Sequence, residues 1–151
     1  MPKKPSADDA QVILKLYDLR REAELRRARQ WWITTFWPKD ADEYLKVQMN
    51  LGSQENNLLR QVLGYWGIAV SLVANGAVSE RLFFEPAFCG ELFFIYAKLR
   101  PLIPEIRKKM QNPRFMLSVE KAIMGNKAAR EYYLGMEPRI HAMGKQRAAA
   151  G

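Results

Sequence analysis

The chain has 151 residues, of which 48% are hydrophobic and 26% are charged. This length and composition are typical of one globular domain and exclude a chain that is disordered throughout. The single cysteine, Cys89, excludes an intramolecular disulfide, and the single histidine, His141, excludes a metal site built from several histidines.

The net charge of +8 is concentrated at the two ends of the chain. Residues 1–30 contain eight basic and five acidic residues, and residues 101–151 contain ten and four, whereas the centre is close to neutral. Acidic residues are interleaved with the basic ones, which favours ordinary solvated helix faces. The alternative is a surface that binds nucleic acid or acidic lipid.

The spacing of apolar residues predicts an all-α fold, an irregular bundle of about five helices. The first helix is expected to begin between Ser6 and Asp9 and to run to about Trp37, because Pro38 restricts the residue before it. Its middle combines opposite charges three or four residues apart, which stabilises a helix that projects into solvent or lies along a partner. These pairs are Arg20–Glu24, Glu22–Arg26, Asp18–Arg21 and Glu24–Arg27.

A second helix is predicted from the capping box formed by Asp40 and Glu43. Gly52–Ser53 interrupts it, with Ser53 as a new cap, and Asn75–Gly76 ends it. The uncharged run 61–79 is too weakly apolar for a membrane span and favours a helix buried on all sides.

A third helix is predicted from Ser79, with a kink or restart at Pro86, and it forms the core hairpin with the second helix. Shorter helices follow at about 104–110, 115–124 and 127–134. We therefore expect a disordered N-terminal tail at 1–7, a single helical domain at 8–135, and a basic flexible C-terminal tail at 136–151. The N-terminus resembles no secretory signal, and with a free thiol we expect a cytoplasmic protein.

The strongest compositional feature is a cluster of large aromatic residues around Pro38. Its interpretation is either a corner packed by rings or an exposed patch at a partner interface. The candidate interface residues are Trp31, Trp32, Trp37 and Tyr44.

Glu91 lies in an apolar stretch, and a carboxylate that faces inward there needs a basic partner. The nearest basic residues in sequence are Lys98, Arg100 and Arg107, and a structural ion pair is favoured over a catalytic acid. A polar pocket formed by Trp66, Glu91 and Arg107 is the corresponding functional hypothesis.

Motifs with established chemistry are absent from the sequence. It contains no glycine-rich phosphate loop, no nucleophile elbow and no Glu-x-x-His pair for a metal pair in a helical bundle. Cys89 is expected to be a small buried thiol rather than a nucleophile paired with His141. The sequence therefore predicts no catalytic residue, metal or cofactor.

The run Tyr65 to Phe84, continued by residues 93–107, resembles a family of small bacterial helical proteins of unknown function. The resemblance covers about residues 40–110, and its motif is an aromatic pair followed by Ile-Ala, an apolar turn, Leu-Phe, and a helix ending in proline. Relatives often carry an acidic residue where this chain has Gly67. The resemblance implies a helical fold and supplies no catalytic residue.

The leading functional prediction is a non-enzymatic interaction module that self-associates as a homo-oligomer, with a dimer as the simplest form. A second hypothesis is a binding surface for nucleic acid or an acidic surface, although no helix-turn-helix is recognisable. Its candidate anion contacts are Arg20, Arg27, Arg107, Lys108, Lys109 and Arg114. A third hypothesis is a ligand binder or enzyme that uses the Trp66, Glu91 and Arg107 pocket.

Overall fold

The computed structural model describes residues 2–151, and this part of the chain is helical without any β-strand. It contains eight α-helices of at least eight residues, more than the five expected, together with the single-turn helix α5 and a 3-10 turn at Arg100–Leu102. The helices are α1 (Ala7–Leu19), α2 (Ala23–Thr34), α3 (Ala41–Gln48), α4 (Gln54–Ala74), α5 (Glu80–Phe83), α6 (Pro86–Leu99), α7 (Ile103–Met110), α8 (Leu117–Gly125) and α9 (Lys127–Ala150). The all-α class is confirmed.

The predicted long first helix is wrong, because the chain turns between α1 and α2. The carboxylate of Glu22 accepts hydrogen bonds from the backbone N–H groups of Glu24 and Leu25 at 3.1 and 2.8 Å, which caps a new helix. The turn places Arg20 inside the protein with only 8% of its surface exposed. α2 ends at Thr34, so Trp37 and Tyr44 of the aromatic cluster lie beyond this helix.

The predicted caps of the second helix are largely present. Asp40 Oδ1 accepts from the N–H of Glu43 at 2.9 Å, although the Glu43 carboxylate accepts from the N–H of Lys39 rather than from Asp40. Ser53 Oγ accepts from the N–H of Asn56 at 3.1 Å and begins α4, which confirms the interruption there.

The two most apolar helices do not form the expected core hairpin. α4 packs mainly against α2 and α8, and α6 packs mainly against α9. α4 and α6 meet instead through a few side chains, among them Trp66 with Phe88, whose rings lie 5.5 Å apart. The single-turn helix α5, which precedes Pro86, separates the two long helices in sequence.

The C-terminal region is one continuous helix, so the flexible tail expected at 136–151 is absent from the structure. α9 continues through Pro138 because its side chains pack against α6 and the turn after it. Tyr133 and Ile140 are buried, and Glu137 accepts two hydrogen bonds from Arg100, both at 2.9 Å. At the other end, Lys3 donates to the carbonyl oxygen of Ala77 at 2.9 Å.

Within residues 2–151, none of the helices is both long enough and apolar enough to cross a membrane. α4 contains most of the uncharged run 61–79, and only one of its faces is buried. The opposite face carries exposed glycines and Ile68, which is 64% exposed. α4 is therefore a half-buried helix rather than one buried on all sides.

A glycine inside α4 and a glycine two residues beyond its end predict opposite effects of the same substitution. Gly64→Ala adds a methyl group where nothing lies within 4 Å, so it should raise the free energy of unfolding by about 0.5–1 kcal/mol through the higher helix propensity of alanine. Gly76→Ala should lower it by about 1–2 kcal/mol, because φ is +73° at that C-terminal cap. Urea unfolding followed by circular dichroism measures both, and shifts of the same sign would contradict the assigned backbone conformations.

Candidate functional site

The aromatic cluster forms a packed corner. Trp32 and Tyr44 are fully buried, so the prediction that they contact a partner is wrong for this conformation. Trp31 stacks on Phe36 with ring centroids 4.5 Å apart, and Trp37 meets Phe94 edge to face at 5.6 Å. Only Trp31 and Trp37 keep partly exposed surface, so the interface prediction is restricted to them.

The six basic residues predicted as anion contacts lie in three different environments. Arg20 is largely buried and reaches solvent only where it lines a groove. Ion pairs with carboxylates hold Arg27 (with Glu24), Arg107 (with Glu120) and Lys109 (with Asp42), at 3.3, 2.7 and 2.5 Å. Lys108 and Arg114 are exposed to solvent.

Glu91 is held by two donors from distant parts of the chain. Its Oε2 accepts from Arg29 Nε at 2.7 Å, and its Oε1 accepts from Trp66 Nε1 at 2.9 Å. The predicted association of Trp66 with Glu91 is therefore present, but the predicted basic partner is wrong. Arg107 bonds to Glu120 and to the carbonyl oxygen of Phe115 instead.

The guanidinium of Arg20 lies beside this ion pair. Its Nε donates to the Tyr65 hydroxyl at 3.1 Å, and its Nη2 donates to the carbonyl oxygen of Phe88. Rings of Tyr17, Tyr65, Trp66 and Phe88 surround it with centroids 4.9–5.7 Å from the guanidinium carbon. Within residues 2–151 no carboxylate lies within ion-pair distance of Arg20.

Arg20, Arg29 and Glu91 lie together at an open groove of about 410 Å³, which we call the arginine groove. Its walls come from α1, α2, the start of α6 and α9, and they include Tyr17, Ile33, Pro86, Ala87, Phe88, Phe94 and Met136. Two guanidinium groups face one carboxylate there, so the groove carries one excess positive charge.

A larger cleft of about 890 Å³ lies where α9 passes the end of α6 and the connection between α2 and α3. We call it the lysine cleft, after Lys98 in its wall. Its other polar lining groups are Lys39, Glu43, His141, Lys145 and Arg147, and Trp37 provides an aromatic wall.

Lys98 is the most unusual group in this cleft, because it is 7% exposed and has no carboxylate partner within residues 2–151. Its ammonium group donates to the carbonyl oxygen of Trp32 and lies 4.2 Å from the ring centroid of Trp37. Burial, and to a smaller extent the nearby charge of Arg147, together lower the pKa of Lys98 from 10.5 to about 7.

The other charges of the lysine cleft do not neutralise it. Glu43 forms an ion pair with Lys39 at 3.2 Å, which leaves Lys145 and Arg147 as cations at the exposed edge. The guanidinium of Arg147 donates to the carbonyl oxygen of Thr34 and lies over the Trp37 ring at 5.3 Å. Cationic side chains therefore lie in the wall and at the edge of the cleft, and such side chains attract anions.

The single cysteine and the single histidine lie in different environments. Cys89 is fully buried, and burial raises its pKa to about 12, so its thiol is protonated near neutral pH. His141 lies 2.8 Å from the carbonyl oxygen of Ala97 through its Nε2 atom. In the described residues 2–151, no three His, Cys, Asp or Glu side chains are grouped so that they could hold a metal ion.

Comparison with known proteins identifies the family. Residues 5–124 match the family described as a domain of unknown function, DUF4760, and this chain belongs to that family. The expected relationship to helical proteins of unknown function is thereby confirmed, over a longer range than 40–110. Comparison with curated proteins and comparison with solved structures each gave no match.

The two clefts differ in how much of their lining lies within the range of the family match. All residues of the arginine groove except Met136 lie inside the matched range, whereas the lysine cleft includes α9, which follows it. Gly67, where relatives were expected to carry an acidic residue, lies on the exposed face of α4. An acidic side chain at that position would thus reach solvent and not the core.

The substitution Lys98→Met tests whether the pKa of Lys98 is lowered in the folded protein. The folded-state pKa of about 7 lies below the unfolded value of 10.5, so between them the unfolded chain binds a proton that the folded chain lacks. The free energy of unfolding should therefore rise with pH above about 7 by up to about 1.4 kcal/mol per pH unit, and Lys98→Met should lack this rise.

Urea unfolding of both proteins between about pH 6 and pH 9 measures this difference. Subtracting the variant from the wild type removes the contributions of other titrating groups, among them the buried thiol of Cys89. A difference that stays constant over this pH range would show that Lys98 keeps its ordinary pKa.

Proposed function

We propose that the protein binds a small anion with at least two negative charges, such as a phosphate ester or a polycarboxylate, in the lysine cleft. The observation that carries this proposal is the burial of Lys98 in the wall of a positively charged cavity, without a carboxylate partner in the described chain. A strongly perturbed ionisable group in a cleft is a mark of a functional site.

Burying the ammonium group of Lys98 costs free energy, because the group loses its hydration. One carbonyl oxygen and aromatic ring faces compensate only part of the lost hydration of Lys98. An anion in the cleft would supply the missing opposite charge and strengthen its interaction with Lys98 in the partly desolvated site. Lys145 and Arg147 would provide two further positive charges for the same ligand.

The dimensions of the lysine cleft also fit this proposal. A volume of about 890 Å³ lies in the range of small-molecule sites, roughly 300–1,000 Å³. Trp37 and Ile140 give one side of the cleft an apolar lining, which accommodates a ligand that combines an anionic group with a less polar body.

Isothermal titration with inorganic pyrophosphate at low ionic strength tests the proposal. Arg147→Gln should weaken binding about 10–100-fold, because a charge-assisted hydrogen bond contributes roughly 1.5–3 kcal/mol. Lys98→Met should weaken it at least as strongly at about pH 6, where the wild-type amine is protonated. A change in the total tryptophan fluorescence that is lost in Trp37→Phe provides an independent signal from the cleft.

The matched control is Lys127→Gln, which removes one positive charge from the exposed start of the same helix. Its binding constant should stay close to that of the wild type. Equal weakening by Lys127→Gln and Arg147→Gln would reveal nonspecific attraction to a basic protein. The proposal would be refuted if the protein bound neither pyrophosphate nor citrate, which represents the polycarboxylates.

A second candidate function is self-association, which the exposed face of α4 supports. This face includes uncharged residues that follow the helical repeat, namely Gly64, Gly67, Ile68 and Ser71. Glycines allow close approach of a second helix, and Ile68, 64% exposed, would bury apolar surface there. The partly exposed edges of Trp31 and Trp37 remain a second predicted contact.

A cytoplasmic location also remains a prediction, based on the free thiol.

Light scattering coupled to size-exclusion chromatography tests self-association. We expect a dimer that resists high salt, and Ile68→Lys should convert it to a monomer because it places a charge in the apolar contact. Lys15→Ala, at an exposed position of α1, is the control. A wild-type monomer at the highest attainable concentration would exclude this second function.

A further inference from the structure

The arginine groove is a second site, independent of the lysine cleft. We propose that it binds an amphiphile with a single carboxylate and an apolar body, such as a medium-chain fatty acid. The proposal rests on the excess guanidinium of Arg20 at the floor of the groove and on the apolar side chains around it.

The charge at the groove determines the head group of the ligand. Glu91 is already held by Arg29 at 2.7 Å and by Trp66 at 2.9 Å, so it neutralises Arg29. Arg20 has no such partner, although its side chain is more than nine-tenths buried. A guanidinium stays protonated at all physiological pH values, so the charge of Arg20 is permanent.

Arg20 is also held in one orientation. The Tyr65 hydroxyl accepts from its Nε and itself donates to the carbonyl oxygen of Leu16 at 2.6 Å. The carbonyl oxygen of Phe88 accepts from Nη2, and Nη1 forms no hydrogen bond with residues 2–151. A preorganised guanidinium with a free N–H edge binds carboxylate without paying the entropy of ordering a side chain.

The walls of the groove determine the body of the ligand. Ile33 is 42% exposed and Tyr17 is 51% exposed, so both side chains offer apolar surface at the edge of the groove. Ala87, Phe94 and Met136 continue this apolar lining. The volume of about 410 Å³ accommodates a chain of roughly ten carbons but not a large multivalent anion.

The pairing of one positive charge with an apolar lining distinguishes this site from the lysine cleft. The lysine cleft has several cations and suits a multiply charged ligand, whereas the arginine groove has a net charge of one. The two proposals rest on different residues, so either can fail without the other.

Isothermal titration with decanoate, decanol and decyltrimethylammonium tests the proposal, each below its micelle concentration. These ligands share a ten-carbon chain and carry an anionic, a neutral and a cationic head group. Decanoate should bind at least tenfold more tightly than decanol, and decyltrimethylammonium should bind more weakly than either. Equal affinities for decanoate and decanol, or no binding of decanoate, would overturn the proposal.

Variants locate the binding site. Arg20→Met should lower the affinity for decanoate to that for decanol, whereas Arg21→Met removes the same charge from the adjacent exposed position and should leave it unchanged. Saturating pyrophosphate should not displace decanoate. Displacement would place the fatty acid in the lysine cleft and overturn the assignment.

Arg20→Met removes a buried group that joins three helices, so its folding must be checked by circular dichroism. Ala87→Trp provides a test that leaves Arg20 in place, because Ala87 is exposed and lines the groove. It should fill the groove and weaken decanoate binding at least tenfold. Wild-type affinity in folded Ala87→Trp would show that decanoate binds elsewhere.

Discussion

The guanidinium of Arg20 is the interaction on which the arrangement of the N-terminal half depends. It lies at the turn between α1 and α2 and bonds to Tyr65 of α4 and to the backbone of Phe88 in α6. Because a guanidinium cannot lose its proton, the surrounding groups must all accept hydrogen bonds or present ring faces. The turn at Glu22 and the positions of α4 and α6 are therefore coupled through one buried charge.

The same face of α6 carries the central groups of both clefts. Glu91 and Lys98 are seven residues apart, two helical turns, so their side chains leave the helix in nearly the same direction. Phe94 lies between them in sequence and lines the arginine groove. Its ring centroid lies 5.2 Å from the Nζ atom of Lys98. α2 provides Arg29 to the first site and the carbonyl oxygen of Trp32 to the second. Two polar sites are thus separated by a single aromatic ring.

The sequence predicted the parts of the fold that depend on local chemistry. Ser53 as a cap and Pro86 as a restart follow from hydrogen bonds and ring geometry within one turn. The turn at Arg20–Glu22 was missed because charges three or four residues apart fit a helix interior as well as a corner. The glycines and basic residues of 136–151 indicated a flexible tail, but this segment belongs to α9, which packs against α6. Arg29 was missed as the partner of Glu91 because 62 residues separate them, and the burial of Lys98 depends on α9.

The buried thiol of Cys89 gives the protein a natural reporter of its own opening. Cys89 is the only cysteine in the sequence and has no exposed surface in the folded state. A thiol reagent can reach it only when α6 separates from the rest of the core, so the rate of alkylation under native conditions follows the frequency of that event. Since α6 also carries Glu91 and Lys98, a ligand that binds either cleft should slow the alkylation of an atom it never touches.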